Sequence, residues 1–302
     1  MSWGAGVLAA FVAPRNRARR PQGSAEDYLD LAYSRAAFKA SHNSYHKAEP
    51  LTTQIAWNPT DPSNGGCRGL ELDIHRNREL NEWSVSHTGG YDAEPAKQLG
   101  HYLRLLREWA EVSPDHDPIT VHLDIKNAGK VTSGADALDK YIDSHLGSDR
   151  LFIPRALLGS SSDLVTQASA GWPTIRQLRG RFLFCLSGNE GWKRRYSQMQ
   201  LGSRLCFSDL ILDADSPPPR ANSGSRVFLN LGDFPPLTLK TALRWISERP
   251  GFVSRVYNIN SAGAWRRVQG QGANIIATDQ VRGGGWATVG ATPFVPRRVS
   301  GA

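Results

Sequence analysis

Short apolar segments alternate with amphipathic helical patterns along most of this 302-residue chain, and this alternation limits the possible folds more than any other feature. Seven segments have the length and apolar content of buried strands, namely Phe38–Ser41, Gly69–His75, Ile119–Ile125, Arg181–Leu186, Arg226–Leu231, Val253–Ile259 and Asn274–Thr278. Helical periodicity predicts helices after Glu94, over Ala135–Leu146, and from Leu239 to a stop at Pro250-Gly251. Strands that alternate with helices form parallel sheets.

The number of strands bears on how the sheet is arranged. Seven or eight strands within about 250 residues favour an α/β fold of the TIM-type (β/α)8 barrel, an irregular or incompletely closed barrel included. An open doubly wound sheet is the alternative. No linker clearly divides the chain. We therefore expect one barrel domain over residues 31–282, between an N-terminal segment (1–30) and a C-terminal tail (283–302).

The charge of the chain points to an anionic partner. Lysine and arginine total 36 against 28 acidic residues, which gives a net charge of +8. Half of this excess comes from Arg15, Arg17, Arg19 and Arg20, in an N-terminal stretch without acids. A basic surface favours a phosphorylated substrate, an acidic membrane or nucleic acid. The basic residues form no RNP-like or zinc-finger pattern, so we do not expect a nucleic-acid binder.

The N-terminal segment has two interpretations. The apolar run at residues 6–13 precedes the arginines, whereas a secretory signal carries its positive charge before such a run. The segment is either a flexible basic tail or a degenerate signal. No run approaches the ~18 apolar residues of a transmembrane helix, so none is expected. Three cysteines exclude a disulfide framework.

Two predicted strands depart from the continuous apolar pattern of parallel strands, which are buried on both faces. In GLELDIH and VHLDIK, charged residues alternate with apolar ones. Because successive side chains of a strand point to opposite faces, each polar set projects in one direction. These sets are Glu71, Asp73 and His75 in the first strand, and His122, Asp124 and Lys126 in the second.

The three acids of these strands predict a cation site. They lie toward the carboxyl ends of the strands, where a barrel keeps its active site. Buried carboxylates cost several kcal/mol unless they are paired or bound to a metal. Glu71, Asp73 and Asp124 therefore predict a hard cation, either Ca2+, which takes six to eight oxygen ligands, or Mg2+, which needs a stricter octahedron. The alternative is that the basic side chains of the same strand faces neutralise the acids as buried salt bridges.

Two histidines are candidates for acid–base chemistry. His42 lies in SHNSYH at the end of the first predicted strand, and His87 lies in the polar turn SHTGG after the second. A histidine pKa near 6.5 suits a general acid or base at neutral pH. A lone histidine is more often structural, but these two follow the ends of strands at which an active site is expected.

These motifs together resemble the catalytic half of phosphoinositide-specific phospholipase C, and most closely its compact calcium-dependent bacterial type. The resemblance rests on SHNSY, GCRGLELD, SVSHTGG and PITVHLDIK in that order, and covers roughly residues 36–282. Downstream, WPTIRQLRGRFLFCLSG, VSRVYNIN and QGANIIATDQ resemble later strands of the family. SHN followed by GCRGLELD is the more specific signal, since glycerophosphodiester phosphodiesterases share the closing TD strand.

The resemblance implies a role for each matching residue. His42 matches the first catalytic histidine, and His87 matches the acid that protonates the departing diacylglycerol oxygen. The implied calcium ligands are Asn43, Glu71, Asp73 and Asp124, where Glu71 also assists as a base and Asp124 replaces a glutamate common in the eukaryotic enzymes. Lys126 and Arg255 are candidates for phosphate contacts; the alternative for Arg255 is a charge on the surface or rim.

The implied reaction is hydrolysis of a phosphoric diester. A phospholipase C of this type cleaves the glycerol–phosphate ester of phosphatidylinositol-like lipids through a cyclic inositol phosphate, with bound Ca2+. The expected partner is therefore a phospholipid at an anionic membrane surface. The expected protein is a monomer that is exported from the cell, with a cytoplasmic location as the alternative.

Two other classes of function remain open. Glycerophosphodiester phosphodiesterase-like and sphingomyelinase D-like enzymes also place a Glu-x-Asp pair on a strand, but they usually open with a His-Arg pair, where this chain has His42-Asn43. A non-catalytic phosphoinositide-binding barrel would explain the basic N-terminal segment. The presence of both histidines and all the acids disfavours that class.

Overall fold

The computed structural model describes residues 27–199, 201–212, 225–232, 236–249 and 251–298. The strands within these ranges are β1 (Ala36–Ser41), β2 (Gly69–Asn77), β3 (Glu82–Val85), β4 (Ile119–Asn127), β5 (Phe182–Gly188), β6 (Phe207–Leu212), β7 (Phe228–Leu231), β8 (Val253–Val256), β9 (Ile275–Thr278) and β10 (Phe294–Pro296). The α-helices are α1 (Leu51–Ile55), α2 (Leu99–Val112), α3 (Val131–Leu146), α4 (Pro154–Leu158), α5 (Leu164–Ala170), α6 (Glu190–Gln198), α7 (Pro236–Ser247) and α8 (Ala262–Gly270).

The sheet is a closed barrel of eight parallel strands with helices outside it, as predicted. The parallel order is β1, β9, β8, β7, β6, β5, β4 and β2, and β1 pairs with β2 to close the circle. That closing seam is narrow, because the two strands pair only at Ala40 and Gly69. Strands β3 and β10 run antiparallel to β2 and β1. The open doubly wound alternative is therefore wrong.

The seven predicted strands all lie in the barrel, and the predicted helices correspond to α2, α3 and α7. The eighth parallel strand, β6, was not predicted. Its sequence FSDLIL carries Ser208 and Asp209, which interrupt the apolar run on which the prediction depended. Both side chains are buried inside the protein. Two polar residues that face the barrel interior are therefore the reason why this strand was not predicted.

The charged strands β2 and β4 are buried on both faces, with different chemistry on each. Leu70, Leu72 and Ile74 of β2 are at most 1% exposed and belong to the apolar layer that also contains the buried side of α2. That side of α2 is formed by Leu103 and Leu106 at helical spacing. The acidic side chains of β2, Glu71 and Asp73, point to the opposite face of the strand, toward the other strands across the barrel interior. The apolar layer outside the barrel therefore holds these strands in place while their polar faces stay available.

The first and last described segments of the chain pack against each other and against the barrel. Tyr28 stacks on Phe294 with ring centroids 6.2 Å apart, and its hydroxyl donates to Asp117 at 3.1 Å. Phe294, within the segment expected to be a tail, is fully buried in β10. Most of the predicted N-terminal segment, with its tail-or-signal question, lies outside the described residues. Across the described ranges, no helix has the length and apolar character needed to cross a membrane.

The narrow seam predicts a sensitive glycine. A Cβ at Gly69 would lie 2.6 Å from the Cβ of Ala40, so Gly69→Ala forces β1 and β2 apart. We expect a loss of about 1–3 kcal/mol in the free energy of unfolding, the usual cost of overpacking. Urea denaturation measures it. In α8, a Cβ at Gly263 would meet nothing within 4 Å, so Gly263→Ala is the control and should be neutral or slightly stabilising. Equal stability of both variants would contradict the prediction.

Candidate active site

The three predicted acids come together at one end of the barrel. Strands β2 and β4 pair in a register that sets Asp73 directly beside Asp124. Glu71 lies two residues before Asp73 and shares its face. Ligand oxygens of all three carboxylates lie within 4.8 Å of one another. The side chains of Glu71 and Asp73 are almost completely buried, and that of Asp124 is 18% exposed. We call these three residues the acid cluster.

A glycine makes room for one member of the acid cluster. Gly188 ends β5, and a Cβ there would overlap the Oδ1 atom of Asp124. Its φ of +78° is also in the left-handed region that favours glycine. Any larger residue at this position would displace the Asp124 carboxylate from the cluster.

His42 is held at the end of β1 by two neighbouring strands. Its backbone N–H donates to the carbonyl of Thr278 at 2.9 Å. The ring Nδ1 lies 3.1 Å from Oδ1 of Asp279, while Nε2 lies 3.9 Å from Oε2 of Glu71. A carboxylate only accepts, so Nδ1 donates to Asp279 and Nε2 is the atom that faces the acid cluster. The ring also stacks against Tyr257, with centroids 5.9 Å apart.

His87 makes a similar pair on the other side of the acid cluster. Its Nδ1 lies 2.8 Å from Oδ2 of Asp73, and its side chain is half exposed. As for His42, the ring donates through Nδ1 and leaves Nε2 free to exchange a proton. The buried carboxylate fixes the orientation and tautomer of the exposed ring. The two predicted histidines are therefore both carboxylate-bound and both close to the acids.

Asn43 reaches the acid cluster through a left-handed backbone. Its φ of 47° and ψ of 58° turn the chain so that its N–H donates to Oε2 of Glu71 at 3.0 Å. Its amide Oδ1 lies 3.4 Å from the hydroxyl of Tyr45. Asparagine tolerates this conformation better than most residues. The structure thus places Asn43 beside Glu71, and its role as a calcium ligand stays a prediction.

Glu71 stays ionised because Arg255 compensates its burial. Desolvation by itself would raise the pKa of Glu71, but the Arg255 guanidinium, His42 and the Asn43 N–H outweigh it and hold the pKa below its ordinary value. Nη2 of Arg255 lies 2.8 Å from Oε2 of Glu71, and its side chain is 2% exposed. Arg255 is therefore an interior residue of the barrel, and the alternative of a surface or rim charge is wrong.

Lys126 lies between the other two acids. Its Nζ is 3.1 Å from Oδ2 of Asp73 and 2.9 Å from Oδ2 of Asp124. Burial still raises the pKa of Asp124, with Lys126 opposing and Asp73 adding to the rise. The salt-bridge interpretation of the polar strand faces thus holds for Lys126.

That interpretation fails for the two strand histidines. His75 contacts the carbonyl of Ser86 at 3.0 Å, and no acid of the described residues lies within ion-pair distance of it. His122 is completely buried, and neither of its ring nitrogens has a hydrogen-bond partner in the described chain. Burial, followed by the charges of Arg255 and Lys193, lowers its pKa well below the ordinary value, so it is neutral.

The oxygen atoms left over in the acid cluster fit a calcium ion. Oδ1 of Asp73 and Oδ1 of Asp124 are buried and have no hydrogen-bond partner among the described residues. Buried carboxylate oxygens without partners are costly. A hard cation with carboxylate, amide and water ligands would satisfy both. The three carboxylates of the acid cluster are the donors that the structure brings together for it, and Asn43 lies next to Glu71.

Two residues that the sequence analysis did not single out complete the site. Asp279 accepts from His42 and also from Lys47 and Asn260, and it directly follows β9. It is the Asp of the closing TD motif, which was quoted without a role. Tyr257 stacks on His42 and lies under Arg255, at 5.1 Å from the guanidinium carbon. Because it is two residues after Arg255, strand periodicity was the signal that would have found it.

A polar network behind Arg255 was also missed. Arg255 donates from Nη1 to Oδ1 of Asn230 at 3.0 Å, and Asn230 donates to the hydroxyl of Ser187 at 3.1 Å. Ser187 in turn donates to Asp209 of β6, which is ion-paired with the fully buried Lys193 of α6. The network fixes Arg255 from the side opposite Glu71. We call it the interior polar network.

Solved structures of other proteins share the barrel of this chain. The calcium-dependent phosphoinositol-specific phospholipase C of Pseudomonas sp., in its myoinositol complex, superimposes with a TM-score of 0.71 at 20% identity and covers 91% of this chain and 100% of that one. The phosphatidylinositol-specific enzyme of Streptomyces antibioticus gives 0.66 at 19%, over 88% and 99%. A glycerophosphodiester phosphodiesterase of Parabacteroides distasonis gives 0.50 at 13%, over 80% and 92%.

At these identities the likeness establishes the fold alone, which is a (β/α)8 barrel. Residues 85–216 match the family model of Ca2+-dependent phosphoinositide phospholipase C, a segment that contains His87, Asp124 and Lys126. This match confirms the resemblance predicted from the sequence, and it indicates an enzyme that hydrolyses phosphoric diesters. The search of curated proteins finds no match.

The interior polar network predicts a large cost for removing its cation. Lys193→Met leaves the buried Asp209 carboxylate without its ion pair, and we expect a loss of about 3–5 kcal/mol in the free energy of unfolding. Urea denaturation measures it. Adding Asp209→Asn to that variant should recover part of the loss, which a double-mutant cycle reports as coupling. Lys140→Met, on the exposed side of α3, is the control and should be near neutral. Additive effects of the pair would contradict the prediction.

Proposed function

We propose that this enzyme is a calcium-dependent phosphoinositide-type phospholipase C, which cleaves the glycerol–phosphate ester of phosphatidylinositol-like lipids through a cyclic inositol phosphate. One observation carries the proposal. His42 and His87 each bind a carboxylate through Nδ1, next to the same acid cluster, so two Nε2 atoms are available for two proton transfers. Cleavage of a phosphodiester by a neighbouring hydroxyl needs one base and one acid.

In the first step of the proposed reaction, the inositol 2-hydroxyl oxygen bonds to phosphorus and the bond from phosphorus to the glycerol oxygen breaks. Nε2 of His42 takes the hydroxyl proton, assisted by Glu71 at 3.9 Å. Nε2 of His87 gives a proton to the departing glycerol oxygen. Asp73 stabilises the charged form of His87, as an aspartate does for the histidine of a catalytic triad. The attack is intramolecular, and proximity favours it.

In the second step, water opens the cyclic phosphate and the two histidines exchange roles. His87 now takes a proton from water as its oxygen bonds to phosphorus. The bond from phosphorus to the inositol 2-oxygen breaks, and that oxygen receives the proton held by His42. Both histidines are thereby returned to their starting protonation states. Microscopic reversibility requires this exchange, since the second step is the first with water in place of glycerol.

Positive charge at the site would stabilise the transition state. Asn43, Glu71, Asp73 and Asp124 would hold Ca2+, which supplies charge for the nonbridging oxygens of the phosphate. Arg255 contributes a fixed guanidinium, because Glu71 and Asn230 hold it from two sides. Tyr257 packs against both His42 and Arg255 and so fixes the position of one relative to the other.

The setting of the reaction is also part of the proposal. The net charge of +8 favours an anionic membrane surface as the place where the lipid is met. Action as a monomer and export from the cell stay predictions. Hydrolysis of a glycerophosphodiester is the second candidate, because the Parabacteroides distasonis enzyme shares the barrel and the closing Asp279 belongs to a motif common to both groups. The reaction product distinguishes the two.

The proposal predicts a product that depends on calcium. We expect 31P NMR of the purified protein with phosphatidylinositol to show a cyclic inositol phosphate in Ca2+, and the signal to disappear in EGTA. Mg2+ should restore it poorly, because it demands a stricter octahedron. Product formation that is unchanged in EGTA would contradict the calcium dependence. A freed small alcohol with no inositol phosphate would favour the second candidate.

The two histidine roles predict different responses to the leaving group. His87→Asn should slow cleavage of phosphatidylinositol by about 100-fold or more, the usual contribution of a general acid. The same variant should be much less impaired with a nitrophenyl inositol phosphate, because nitrophenolate departs without a proton. His42→Asn should be impaired with both substrates. Steady-state kcat with each substrate measures this. Equal losses for His87→Asn on both substrates would contradict its role as the acid.

A further inference from the structure

Lys126 binds the carboxylates that the proposed function gives to a metal. Its Nζ lies 3.1 Å from Asp73 and 2.9 Å from Asp124, on the Oδ2 atom of each. Both are ligands in the proposed calcium site. The ammonium therefore already performs, for two of the three acids, the charge neutralisation that a cation would supply.

The net charge of the acid cluster determines how strongly it attracts a metal ion. Glu71, Asp73 and Asp124 bring three negative charges, and Arg255 is fixed against Glu71. These four residues sum to −2, which suits a divalent cation. With Lys126 in contact the sum is −1. The positive charge of Lys126, two residues after Asp124, therefore repels a cation that binds to the acid cluster.

Lys126 is also placed so that it can leave the acids. It lies at the end of β4 with its side chain 28% exposed, whereas Asp73 and Glu71 are 1% and 6% exposed. Arg255, at 2% exposure, has no such freedom and is held by Asn230 as well. The two cations of the site thus differ: one is fixed inside the barrel, and the other sits at its mouth on a flexible stem.

We propose that Lys126 is a tethered competitor of the calcium ion: it holds Asp73 and Asp124 together through their Oδ2 atoms without metal, opposes by its charge a Ca2+ ion at their free Oδ1 atoms, and so sets the calcium concentration at which the enzyme is loaded. This inference rests on the calcium site of the proposed function. It makes Lys126 a positioning residue for the acids and the residue that weakens metal affinity.

Calorimetric titration with Ca2+ alone tests the inference without turnover. Lys126→Met removes the charge but keeps an unbranched stem, and should bind Ca2+ roughly tenfold tighter or more than the unaltered protein. Lys126→Arg keeps the charge and should stay within about threefold of the unaltered protein. The matched control is Lys130→Met, an exposed lysine just before α3, which should leave the affinity unchanged.

Thermal unfolding supplies a second readout. In EDTA, Lys126→Met should melt at a lower temperature than the unaltered protein, because two adjacent buried carboxylates lose their shared cation. Ca2+ should then raise its melting temperature more than it raises that of the unaltered protein. Lys130→Met should show neither difference.

The outcomes separate this inference from the function on which it rests. Equal or weaker Ca2+ binding by Lys126→Met, with clear binding by the unaltered protein, overturns the competitor role alone. Tighter binding by Lys126→Met supports it, including the case in which only the variant binds at millimolar Ca2+. Absence of binding by either protein overturns the calcium site of the proposed function together with this inference.

Discussion

The placement of three carboxylates inside the barrel is the constraint on which the rest of the structure depends. The register of β2 and β4 sets Asp73 beside Asp124, with Glu71 on the same face. Removing such charges from water costs several kcal/mol each, unless cations and donors lie close. Arg255 meets this need for Glu71, while Lys126 and His87 meet it for Asp73. The groups proposed for catalysis are therefore the same groups that lower the free-energy cost of burying the three carboxylates.

Buried charges that are compensated by neighbouring polar groups continue across to the far side of the barrel. Arg255 is itself a buried charge, and Asn230 satisfies the nitrogen that Glu71 does not reach. Asn230 then connects through Ser187 to Asp209 and its partner Lys193. Removing any member of this network would leave a buried polar group of its neighbour without a hydrogen-bond partner. The barrel interior is therefore polar across several strands. The apolar core is accordingly displaced outward, to the layers between strands and helices.

Much of this followed from sequence, and the failures have a common cause. Strand period placed the acids on one face, and the barrel rule placed them at the carboxyl ends. Local patterns do not show which distant side chains neutralise a buried charge, so Asp279 received no role and Arg255 was left open to a rim position. Strand β6 was not predicted for the same reason, because Asp209 interrupts its apolar pattern and the partner of Asp209, Lys193, lies 16 residues earlier in the chain.

The two histidines proposed for catalysis are held by carboxylates with different surroundings. His42 donates to Asp279, which also accepts from Lys47 and Asn260, so the charge of this carboxylate is shared among three donors. His87 donates to Asp73, a carboxylate that is 1% exposed and has a buried oxygen without a partner among the described residues. Each of these carboxylates is also bound by a lysine, Lys47 at Asp279 and Lys126 at Asp73. Both rings are therefore oriented in the same way, because a carboxylate fixes each Nδ1 atom and leaves each Nε2 atom for the proposed proton transfers.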